Sequence, residues 1–315
     1  MKIHIELISS LCVILLAVST ACCGAETQSG DTAQPGKNRD TKPQFIYLDP
    51  QKMVKVHIQK KWVEIPAVSH ISGGMIELAL GSVYAPNCRS HESLFLTWAR
   101  PSLVHAGLQV IGLKPGKPVK FDGQSKLPSG DGLYIYVVWK EKKENKDELK
   151  YSRLEKCIYN NLVQEPVTDI KWIFTGSQLT KQAVEPEKKE DTTDTESKDE
   201  KKPKMKVVYE ADVDGTIIAT WHWSVTVIDI SLPEGANDEA LQAYHKTMPK
   251  IDTPVRIVFS PSEISEKKMI QEYASQAFVL PEEEQKKLEE EKEKEKKKKE
   301  KSEIESILGP DFESL

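Results

Sequence analysis

Apolar and polar residues alternate through the middle of this chain, and a period of two marks strands with one buried face. The alternation predicts strands over residues 53–58 (MVKVHI), 62–65, 75–80 (MIELAL), 93–98 (SLFLTW), 117–121 and 133–140 (LYIYVVWK). It continues over 151–163, 170–175, 207–211, 216–223, 225–230 and 255–259. Turn residues separate the runs, as at Gly73-Gly74 and Asp214-Gly215. His57 falls on the polar side of its alternation and reads as a surface histidine.

The period changes to 3.6 where Leu103, Val104, Gly107, Leu108 and Ile111 recur at helical spacing. Pro101 suits the first turn of that helix, and Gly112 with Pro115 beyond it suits the stop. His105 groups with Ser102 and Gln109, away from the apolar stripe, so it faces a polar side or a cleft. A short helix is predicted from Asn237, with Leu241, Tyr244 and Met248 as its apolar face. Another is predicted from the capping box Ser260-Pro261-Ser262-Glu263. The expected fold class is α+β: a predominantly antiparallel β-sheet with one main packed helix at about 102–113, plus disordered and charged helical segments.

Charge changes this picture by cutting the chain into pieces. Of 315 residues 30% are charged, yet the formal net charge is only −5, because acids and bases crowd together in runs. Residues 1–21 read as an export signal, with Lys2 before an apolar core at 7–18 and small residues before Cys22. Residues 22–44 read as a disordered tether, 45–261 as the folded domain and 262–315 as a charged helical or disordered tail. Residues at about 182–204 interrupt the domain as a disordered, low-complexity hairpin loop. Two readings compete at Cys22 and Cys23: lipid modification at the double cysteine, or ordinary cleavage after Ala21. The first makes the membrane a partner through an N-terminal anchor. The location expected is exported, periplasmic or at the cell surface, and the acidic balance gives no reason to expect nucleic acid.

The candidate chemistry gathers at residues 88–116. Cys88, His91 and His105 are ligand types that suit zinc or copper. A plainer reading makes His91, Glu92 and His105 a ligand-facing or structural polar cluster. A third pairs Cys88 with Cys157 in a disulfide, which would stabilise an exported domain by about 4 kcal/mol. An iron–sulfur cluster normally takes four thiolates and only these two lie in the folded domain at 45–261, so none is expected. Trp98, Trp172, Trp221 and Trp223 read as core more readily than as a ligand groove. No G-x-S-x-G elbow, P-loop, HExxH or dinucleotide fingerprint is present, so an enzyme is the weaker reading and a hydrolase ranks third.

Several of these segments together carry a resemblance. His91-Glu92-Ser93, His105-Ala106-Gly107-Leu108 and residues 112–119 (GLKPGKPV) are followed in order by residues 172–177 (WIFTGS), Tyr209-Glu210-Ala211-Asp212 and Thr253-Pro254-Val255-Arg256. The series resembles the YdjY-type domain of bacterial exported proteins and lipoproteins, over roughly residues 45–261. Trp221-His222-Trp223 departs from it, where an asparagine before an aromatic is usual. The resemblance implies an exported protein and brings no reaction with it. The leading expectation is a non-enzymatic, membrane-anchored protein that binds an unknown protein partner or small molecule near His91, Glu92 and His105. The alternative is a metal-binding protein, with redox use open, through Cys88, His91 and His105.

Overall fold

The computed structural model describes residues 44–143, 146–184 and 204–278. Its strands are β1 Ile46–Tyr47, β2 Lys55–His57, β3 Trp62–Ser69, β4 Leu78–Ser82, β5 Ser93–Thr97, β6 Gly132–Lys143, β7 Lys146–Arg153 and β8 Ile158–Asn160. They continue as β9 Glu165–Pro166, β10 Trp172–Phe174, β11 Leu179–Val184, β12 Lys204–Tyr209, β13 Thr216–Ala219, β14 Ile228–Asp229, β15 Leu241–Ala243 and β16 Pro254–Ser260. Among the described residues three short α-helices accompany them: α1 Pro101–Val110, α2 Glu210–Asp214 and α3 Glu266–Tyr273.

Eight strands close into a ring in the order β3-β16-β6-β10-β14-β13-β4-β5, and β5 returns to pair β3 through Val68 with Leu96 and Ser69 with Phe95. Neighbours are antiparallel except β4 with β5 and β13 with β14. The expected α+β sheet with a packed helix is therefore wrong: the domain is mostly β and built on a closed barrel. An eight-stranded barrel is just wide enough for side chains to fill, and alternate residues do so. Val63, Ile65 and Ala67 of β3, Leu133, Ile135 and Val137 of β6, and Val255, Ile257 and Phe259 of β16 form one buried cluster with Trp172 and Phe174 of β10.

The intervening residues face outward, and part of that outer surface is covered as well. Trp62, Tyr136, Val138 and Val258 pack with Ile264, Met269 and Tyr273 into a second core, so α3 lies on the outside of the wall. The helix begins at Glu266, later than the capping box predicts.

Helix α1 stands where the pattern places it, but not on an open sheet. It contacts β2, β3 and β13, and its His105 ring meets Phe174 at the end of β10. A helix that touches strands spread around the ring lies across its end. Val104 and Leu108 point into the main core from there, and Gly107 lets the backbone sit against the Val63 side chain.

Other expectations need correction. The helix predicted from Asn237 is instead β15 followed by a 3-10 turn, because Leu241 and Ala243 are drawn into a small sheet with β8 and β9. Residues 117–121 form only a bridge from Lys117 to Ser129. The 151–163 strand is split by a 3-10 turn at Leu154–Cys157. The ends of the run expected to be disordered, residues 182–184 and Lys204, are instead paired in a hairpin of β11 and β12, whereas residues 185–203 lie outside the described residues. So do the leader and tether up to residue 43, Cys22 and Cys23 included, and the tail beyond residue 278.

Candidate ligand groove at the barrel mouth

β4 and β5 run parallel, so both leave the barrel at the same end, and α1 begins four residues after β5. The first turn of α1 is fixed by Asp212 of α2, which accepts from the Ser102 amide at 2.8 Å and from Arg100 Nε at 2.7 Å. One turn further along, His105 Nδ1 lies 2.9 Å from the Tyr209 hydroxyl and 3.1 Å from the Gly176 carbonyl. The Tyr209 hydroxyl is also 3.0 Å from that carbonyl.

Proton counting fixes the ring. The phenol owns one proton, and giving it to Gly176 O leaves Nδ1–H free to donate to the phenol oxygen; all three groups are then satisfied. Burial pulls His105 below the usual histidine range, against the raising effect of the Gly176 carbonyl, so the ring is neutral and carries its lone pair at Nε2. Burial likewise pushes the Tyr209 phenol far above its ordinary value. Gly176 must be glycine here: φ is +87°, and an added Cβ would stand 2.5 Å from Pro115 Cβ.

Beside this latch lies a groove of about 480 Å³, lined by Leu48, Asp49, Pro50, Gln51, Met53, Val83, Tyr84, Trp98, Arg100 and Leu103. Its wall mixes apolar and polar groups, with two large side chains left open to water, Tyr84 at 52% and Val83 at 38% exposed. Asp49 spends its two oxygens on the amides of Met53 and Val54, each at 2.8 Å. The Arg100 guanidinium lies 5.5 Å from the Tyr84 ring centre.

The residues singled out in the sequence do not converge. His91 and Glu92 sit in a 3-10 turn before β5, at the opposite end of that strand from Arg100 and α1. Five strand residues at about 3.3 Å each put roughly 16 Å between the two ends. His91 is exposed and 3.5 Å from Glu92, while His105 belongs to the mouth. Glu92 instead shares its site with Glu77 and Arg89, whose guanidinium lies 2.8 Å from Glu77 and 4.1 Å from the Trp223 ring centre. Burial and a hydrogen bond with Glu92 push the Glu77 carboxyl up to about 7.

Cys88 and Cys157 are both free thiols, so the bridge that was the third reading is not formed. Cys88 packs beside Gly81 and Gly215, and Cys157 is fully buried next to the Thr247 carbonyl. Burial, with the charge of Asp214, raises Cys88 to about 11; burial and Glu155 raise Cys157 to about 12. Among the described residues no three His, Cys, Asp or Glu side chains cluster as metal ligands, and Cys88, His91 and His105 occupy three separate settings.

Two buried pairs escaped the sequence reading. His57 is 3% exposed and bonds Glu64 at 3.1 Å beneath α3, because the polar side of its strand is covered from outside. His222 is fully buried and bonds Asp229 at 3.1 Å under the Pro233–Ala236 turn. Its place between two tryptophans is the only hint the sequence offers. Of the four tryptophans weighed in the sequence, Trp172 and Trp223 are core, whereas Trp98 and Trp221 are partly open.

Compared with known families, the chain matches the YdjY domain over residues 54–260. No curated protein and no solved structure matches it.

Proposed function

The chain belongs to the YdjY domain family, and on that premise we propose that it is a non-catalytic binding protein whose ligand site is the groove at the barrel mouth. The observation that carries the reading is the contrast between a barrel packed solid with side chains and a roomy, aromatic-lined groove at its end. Barrel mouths are a common place for such sites, and the volume falls in the range of small-molecule pockets. The thiols support a non-catalytic role, since burial holds both protonated at neutral pH. Export and a lipid anchor at Cys22 or Cys23 are part of the same proposal, supported by the leader pattern at residues 1–21. The earlier placement of the ligand at His91, Glu92 and His105 gives way to the mouth alone.

The test is a fragment screen read by the indole N–H resonances of the tryptophans. The expected result is that binders shift the Trp98 signal, are recovered unchanged, and lose their effect in Val83→Trp, which fills the groove from its exposed side. Binders that shift only Trp221 or Trp223, or that are turned over, would contradict it.

A further inference from the structure

The polar groups around the groove are unevenly spent. Asp49 gives its oxygens to two backbone amides. Asp212, just behind the wall, gives its own to Ser102 N–H and Arg100 Nε. Arg100 is different, because Asp212 occupies only the Nε side of its guanidinium. The two terminal amino groups donate to nothing among the described residues, and they form a planar fork of the kind that takes a carboxylate with two parallel hydrogen bonds. Arg100 is positioned for this, since Asp212 is itself anchored on the α1 amide and the Tyr84 ring flanks the guanidinium. The indole N–H of Trp98 is a second donor that bonds no described residue.

Apart from Gln51, the rest of the wall is apolar or aromatic, with Met53, Val83, Tyr84, Trp98 and Leu103 among it. Such a wall rewards an apolar body at about 25 cal/mol for each Å² removed from water. A surplus charged donor at the head and apolar surface along the remainder together specify one kind of ligand. We propose that the groove binds a small amphiphilic carboxylate, with its head on the free fork of Arg100 and its apolar body along Trp98, Tyr84 and Leu103. This rests on the groove being the ligand site and adds the chemistry of its ligand. A cationic ligand is disfavoured, since the two nearby carboxylates already accept from protein donors.

The probes are decanoate and decanol, which share a body and differ in the head, titrated into the full chain while the Trp98 indole resonance is followed. Decanoate should bind at least tenfold more tightly than decanol. Arg100→Gln should remove that preference by weakening decanoate alone, and Arg100→Lys, which keeps charge but not the fork, should restore only part of it. Arg100 is half-exposed, so its loss is not expected to unfold the chain. Equal binding of both probes, unchanged by Arg100→Gln and lost in Val83→Trp, would overturn the carboxylate inference and leave the groove reading standing. If neither probe moves Trp98 while other small fragments do, the carboxylate inference again fails alone. If no fragment moves it, both fail.

Discussion

Phe174→Ala is expected to cost about 3–5 kcal/mol of folding stability, measured by denaturant unfolding, because it empties a fully buried aromatic site in a close-packed interior. The position is costly for a second reason. The Phe174 ring meets His105 edge-on at 5.0 Å between centres, so it helps hold α1 across the mouth. With the ring gone, water gains access to the imidazole. The His105 pKa, held low chiefly by burial, should then rise toward the ordinary histidine value. The pKa change is read by NMR pH titration of the folded variant, and the stability loss by denaturant unfolding of the same preparation. A loss under about 1 kcal/mol, with His105 unmoved, would mean that the ring does not fill the barrel.

Glu64→Leu should be comparably severe, at about 3–5 kcal/mol near neutral pH, through electrostatics rather than volume. Glu64 is 5% exposed on the outer face of β3. Its carboxylate accepts from Tyr273 of α3 at 2.9 Å and bonds His57 at 3.1 Å, with Arg256 at 3.5 Å and Lys55 at 3.9 Å. Removing it leaves basic groups packed together under a helix that has lost its hydrogen-bond partner. Burial alone would raise the Glu64 pKa, but the His57 bond, the Lys55 charge and the Tyr273 bond outweigh it and hold the group below its ordinary value of 4.5. A carboxyl with a depressed folded pKa contributes fully above its unfolded pKa, and that contribution fades as the pH falls through the folded one. The stability gap between the native chain and Glu64→Leu should therefore be level down to about pH 4.5 and narrow below it. A gap that widens in acid would contradict this account of the cluster.

How far the sequence was legible follows from which forces act locally. Helix α1 was readable because its stripe, its leading Pro101 and its stop at Gly112 are all written within a dozen residues. The strands carrying two-residue alternation, such as β3, β6 and β16, were readable for the same reason. Closure was not. It depends on β16 pairing with β3 and on β3 meeting β5, contacts between distant segments that no local period records. An open sheet and a barrel share the same alternation, and the helix that seemed to lie on a sheet in fact spans a ring.

The site was half legible on the same grounds. His105 was expected on a polar or cleft-facing side, whereas its ring packs against Phe174 and Tyr209; its grouping with His91 rested on nearness in sequence, and β5 carries the two to opposite ends. Arg100 was not singled out in the sequence, because its fork becomes meaningful once Asp212 arrives from more than a hundred residues away. His57 was misread because half-exposed alternation looks the same whether water or α3 covers the polar face.

The latch at His105, the groove and the filled interior all depend on the barrel being closed, so its seam is the place to measure. Cross-strand nuclear Overhauser contacts should link Val68 with Leu96 and Ser69 with Phe95, alongside those that join β4 to β5 and β16 to β3. Finding all three sets is the result a closed ring requires. Contacts for β4–β5 and β16–β3 with none across the β3–β5 seam would describe an open sheet, and the account built on the mouth would fall with it.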